Sequence, residues 1–124
     1  MISRTSKVGE VQILHIPDDD LTRVDVTPEH LQKWAKSRVI LTDSQRAELG
    51  SILKGTTAQK QPEQTNPRWG FNLRWGLLLS DKSGREVDTV FFDGSGTIGL
   101  INGEVVRFSR DLSTPLHQLT HLVR

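Results

Sequence analysis

The sequence predicts an α+β fold: an antiparallel four-stranded meander in the C-terminal half, packed with two N-terminal helices and a C-terminal helix. Three observations carry that expectation. Trp69, Phe71, Leu73, Trp75, Leu77 and Leu79 alternate with Gly70, Asn72, Arg74, Gly76, Leu78 and Ser80, and a period of two held this long marks a strand with one face in the core. Asn102-Gly103 lies between two apolar runs, the strongest short hairpin signal. The first half instead carries two amphipathic stretches, each with a capping residue at its start. A length of 124 residues suits one core, so 1–124 reads as a single domain. Its helical half runs over about residues 1–55, a loop over 56–67, and the meander with the final helix over 68–124.

Val8 to Ile16 reads as a strand ended by Pro17 and Asp18-Asp19-Asp20, and Leu21 to Val26 as a short peripheral strand. The first helix follows. Thr27 is the N-cap, Pro28 occupies a position where a missing N–H costs nothing, and Glu29 lies near the positive end of the helix dipole. Val26 can staple to Leu31, and Leu31, Trp34 and Ala35 form the expected buried stripe. Val39-Ile40-Leu41 is an apolar link to the second helix. There Thr42 and Gln45 make a capping box, Leu49, Ile52 and Leu53 point inward, and Gly55 stops the helix. Gly50 inside it costs about 1 kcal/mol relative to Ala, a cost that close packing at that position would explain.

Thr56 to Pro67 is polar, aperiodic and contains two prolines, so it reads as the longest loop. Asp81-Lys82-Ser83-Gly84 and Asp93-Gly94-Ser95-Gly96 read as turns that flank a strand from Arg85 to Asp93. If Gly94 and Ser95 form a two-residue loop, Phe91 meets Ile98 and Phe92 meets Thr97. Across Asn102-Gly103, Leu100 meets Val105 and Gly99 meets Val106. One sheet face then carries Phe91, Ile98, Leu100 and Val105, and the other Val90, Phe92, Ile101, Val106 and Phe108. Both are apolar, so both need covering. A final helix starting at Thr114-Pro115 buries Leu116, Leu119, Leu122 and Val123.

Composition removes several function classes. With no cysteine there is no disulfide, thiolate nucleophile or zinc–thiolate site. A formal net charge of +1, with bases interleaved among acids, lacks the basic stripe from which nucleic-acid binders draw affinity. No apolar run approaches a membrane span. The basic start, Met1 to Lys7, is not followed by a signal-like apolar stretch, so a cytoplasmic location is expected, or a periplasmic one if a signal peptide has been removed.

The repeat Arg68-Trp69-Gly70 and Arg74-Trp75-Gly76 places both tryptophans on one strand face, with Arg68, Arg74, both glycines and Asn72 on the other. Such a glycine-floored, arginine-flanked face suits a carboxylate, a phosphate or an acidic partner loop. Alternatively, the glycines make room for aromatics on the neighbouring strand. Asp18, Asp19 and Asp20 suit a basic partner or a solvated turn, and adjacent carboxylates diverge too much to cage a cation. His117 and His121 have the i, i+4 spacing of two metal ligands but no further ligands to complete a set. Asp93-Gly94-Ser95-Gly96-Thr97 evokes an aspartic-protease turn, broken by the extra glycine. Ser51 and Lys54 have Ser–Lys spacing without companion motifs. No catalytic constellation, metal or cofactor is therefore expected.

Arg74-Trp75-Gly76, Asp81-Lys82-Ser83-Gly84, Phe91 to Gly96 and Ile101-Asn102-Gly103 together resemble the C-terminal meander of small bacterial immunity proteins of contact-dependent or type VI toxin systems. The resemblance implies a non-catalytic domain that neutralises a cognate toxin by stoichiometric binding, and it carries over no binding residue. The residues themselves nominate Asp18, Asp19, Asp20, Arg68, Asn72 and Arg74 as partner contacts. The alternative readings are a small enzyme or anionic-ligand binder using the Arg68/Arg74 face, and a homodimer.

Overall fold

A computed structural model describes residues 8–17, 26–60 and 72–121. Their elements run β1 (Val8–His15), α1 (Pro28–Trp34), β2 (Ser37–Ile40), α2 (Asp43–Lys54), β3 (Ala58–Lys60), β4 (Leu73–Asp81), β5 (Glu86–Asp93), β6 (Ile98–Ile101), β7 (Glu104–Phe108) and α3 (Ser113–Thr120). The strands form one antiparallel sheet in the order β2-β1-β4-β5-β6-β7-β3. The fold is α+β with an antiparallel sheet, but the sheet has seven strands among the described residues, not four. The helical half supplies β1 and β2, and the expected loop supplies β3. β1 pairs with β4, β2 extends the sheet beyond β1, and β3 pairs with β7 at the opposite edge.

β2 and β3 end the sheet among the described residues, and such short strands escape a reading based on apolar alternation. Val39-Ile40 belongs to β2, where the expectation was a link, and Ala58–Lys60 forms β3 within the expected loop. The rest of that loop, 61–67, lies outside the described residues. So do Asp18–Asp20 and most of the expected strand from Leu21. Val26 itself is not in a strand; its carbonyl accepts from the Leu73 amide at 3.2 Å.

The sheet has an apolar cluster on each face. One holds Ile13, Trp75, Leu77, Val90, Phe92, Val106 and Phe108, together with Leu49 and Leu53 of α2 and Leu112, Leu116 and Leu119 of α3. The other holds Leu14, Ile16, Phe91, Leu100 and Val105, with Val26 and with Leu31 of α1. Each buried side chain of this size is worth about 1.5–3 kcal/mol of transfer free energy.

The hairpin across Asn102-Gly103 has the predicted register, Leu100 opposite Val105 and Gly99 opposite Val106, with positive φ at both loop residues. Before it, Phe91 pairs with Leu100 and Phe92 with Gly99, two positions beyond the expected Ile98 and Thr97. The turn is wider because the Asp93 carboxylate accepts from the Gly96 amide at 3.1 Å and the Ser95 hydroxyl at 2.7 Å, while Gly96 has φ +73°. An even shift preserves facing, so the predicted face assignments stand.

Leu73 departs from the long alternation. Between Leu73 opposite Asp93 and Trp75 opposite Phe92, β4 contains an extra residue, Arg74. This bulge sends Leu73 to the α1 side and Trp75 to the α2/α3 side. Trp69 lies outside the described residues. Trp75 is core as expected, with ring centroids 4.1 Å from His15, 4.8 Å from His117 and 6.2 Å from Phe92.

The caps of the first two helices form as read: the Thr27 hydroxyl accepts from the His30 amide, and Thr42 with Gln45 closes a capping box. α3 differs. It begins at Ser113, not Thr114, and the Asp111 carboxylate accepts from the Ser113 amide and hydroxyl and the Thr114 hydroxyl. Leu122 and Val123 lie outside the described residues.

Candidate functional site

Of the six nominated residues, the described ones are Asn72 and Arg74. Asp18, Asp19, Asp20 and Arg68 lie outside the described residues. Asn72 accepts from the Val26 amide through its side-chain oxygen at 3.3 Å, tying the approach to α1 to the start of β4. Gly76 is not the floor of an open face. A β-carbon there would lie 3.0 Å from both Leu31 and Phe91, so the glycine admits an aromatic and a helix, as the alternative reading held. Arg74 is only 5% exposed, where a solvent-facing side chain was expected.

The two histidines have different surroundings. His117 packs edge-on against Trp75 and against His15, whose ring is 5.4 Å away. His121 is the left-handed C-cap of α3, with φ 59°. Among the described residues, no three or more acidic or histidine side chains gather as a metal site. In the look-alike turn, Asp93 is occupied by Ser95 and Gly96. No described helix is long and apolar enough to cross a membrane.

The residues that do stand out sit where α1 hands over to β2. Trp34 is 42% exposed and Ile40 59% exposed, the exposed large hydrophobics of the described chain. Trp34 was expected in the buried stripe, but α1 is only seven residues long and buries Leu31 alone. One turn back, His30 stacks on the Trp34 ring at 4.4 Å and 11°. The Arg38 guanidinium donates to the Gln32 carbonyl, which fixes it beside the same helix end. In the β1–β2 register Ile40 lies opposite Gln12 and Arg38 opposite Leu14, so both share the sheet face that α1 covers. No family model, curated protein or solved structure matches the chain.

The exposed groups are an aromatic at the end of α1 and, on β2, an aliphatic and an arginine. Between positions 29 and 40 the chain carries Lys33, Lys36 and Arg38 against Glu29 alone, and Lys33 sits 3.9 Å from Glu29. The available sequence signal was the i, i+4 pair His30 and Trp34 next to a short β-branched run. It pointed to a stack as readily as to a core stripe.

Proposed function

We propose that this chain is a non-catalytic protein-binding domain, an immunity-type protein that neutralises a cognate toxin by stoichiometric binding. The observation supporting it is the exposure of Trp34 at the end of α1 and of Ile40 on β2, the terminal strand of the sheet among the described residues. Tryptophan and arginine dominate interface hot spots, and an edge strand offers backbone groups for strand addition. The local excess of bases suits a partner with an acidic binding face, since complementary charge sets association rate and partner choice. The meander resemblance points the same way.

The test is co-purification with the product of the adjacent gene, comparing wild type with Trp34→Ala/Ile40→Lys. The double variant should melt close to wild type and lose at least about tenfold in affinity. Capture as tight as wild type would move the interface elsewhere, and the charge-reversed Asp18–Asp20 triplet and Arg68 are then assayed in the same way. If wild type captures nothing but turns over a small molecule, the enzyme alternative replaces this reading.

A further inference from the structure

We propose that Arg74 anchors a binding site for a small oxyanion, of carboxylate or phosphate type, at the bulge that opens β4. The inference does not depend on the protein-binding reading. Arg74 is 5% exposed, and its Nη1 is buried without a hydrogen-bond partner. Among the described residues no hydrogen bond or ion pair reaches the guanidinium. An arginine cannot relieve this by losing its proton, as a lysine would.

Simple packing of the hydrocarbon stem does not account for the arrangement. Long cationic side chains ordinarily bury the stem and keep the charged head in water, whereas here Nη1 of the head is itself buried. The other buried polar atoms without partners belong to less demanding groups. Asp88 Oδ2 shares its carboxylate with Oδ1, which accepts from Asn102 at 2.8 Å, and His30 Nδ1 belongs to a ring stacked on Trp34. Arg74 carries a full charge, and among the described residues no acid is paired with it.

Its position is equally specific. Arg74 is the extra residue between two register pairs, and its carbonyl accepts from the Ile16 amide at 2.9 Å, which locks the bulge to the end of β1. Bulges re-aim side chains next to functional sites, and the planar guanidinium fork matches carboxylate and phosphate oxygens in pairs.

The experiment is thermal melting of the full chain at constant ionic strength, with chloride replaced stepwise by phosphate in one arm and acetate in the other. Wild type, Arg74→Met and Arg74→Lys are compared. At least one anion should raise the wild-type Tm saturably, by about 4 °C or more at saturation, and the arm that responds identifies the chemistry. Arg74→Met should not respond, and Arg74→Lys should respond less than wild type. Amide resonances of Ile16 and of 73–75 should shift in wild type along the same titration, a readout that stands if Arg74→Met does not fold. A flat wild-type response to both anions overturns the proposal. So does an equal response in Arg74→Met, or resonance shifts that avoid the bulge.

Discussion

An added methyl group has opposite consequences at Gly99 and Gly50. Gly99 lies between Phe92 and Val106 in the sheet, and a β-carbon there would stand 1.9 Å from the Phe91 carbonyl oxygen and 2.8 Å from the Phe92 backbone. Gly99→Ala must therefore push two central strands apart. It should cost about 1–3 kcal/mol or more, the scale of overpacking in a filled core. At Gly50, on α2, nothing lies within 4 Å of such a carbon, so no close packing explains that glycine. Gly50→Ala should stabilise the helix by about 0.5–1 kcal/mol. Denaturant melts of the two variants decide the matter, and a Gly99→Ala protein as stable as Gly50→Ala would refute the close approach. Neither sign was legible in the sequence, because a glycine's surroundings are set by strands distant along the chain. Leu73 was misplaced for a related reason: the extra residue Arg74 in β4 breaks the parity that put Leu73 on the same face as Trp75.

At the scale of elements, capping chemistry was the most legible part, since Thr27 and Thr42 act within three residues of themselves. α3 shows where that locality misleads. Thr114-Pro115 has the pattern of a cap followed by proline, yet Asp111 gathers the first-turn donors, and its neighbour Leu112 donates its amide to the Gly96 carbonyl at 3.0 Å. The start of α3 is thus tied to the β5–β6 turn. Burial pushes the Asp111 carboxyl upward, but hydrogen bonds from Ser113 and Thr114 outweigh it, and the pKa lies below its ordinary 3.8. A depressed folded-state pKa means that the ionised form stabilises the fold. That contribution is complete above the unfolded value and is lost as pH falls through the folded one. Asp111→Ala should cost about 0.5–2 kcal/mol near neutrality, as for a lost helix cap. The gap from wild type should narrow below about pH 4. Stability measured against pH for both proteins checks this, and a gap that stays constant down to the acid limit would show that the carboxylate charge plays no part.

For the whole molecule, the apolar patterning of both sheet faces was readable because it depends only on even and odd spacing, which the two-residue error at the β5–β6 turn left intact. The edges were not readable: β2 and β3 are four and three residues long, too short for periodicity to register. The same topology has a consequence for the order in which the chain acquires structure. β4, β5, β6 and β7 are consecutive, and each pairs with the next, so their contacts form with little loss of chain entropy. β1 must instead reach β4, and β3 must reach β7, by closing long loops that carry a greater entropic cost. The meander should consequently nucleate folding, with conservative core substitutions at Val90 or Leu100 slowing refolding, while those at Ile13 or Ala58 mainly speed unfolding. In the native state, amides of β2 and β3 should exchange with solvent through local openings well below the global free energy, and those of β5 only through complete unfolding. Equal protection of β3 and β5 would contradict that order. The strand that carries Ile40 would then be among the last parts of the chain to settle, and the first to come free when a partner strand competes for its place.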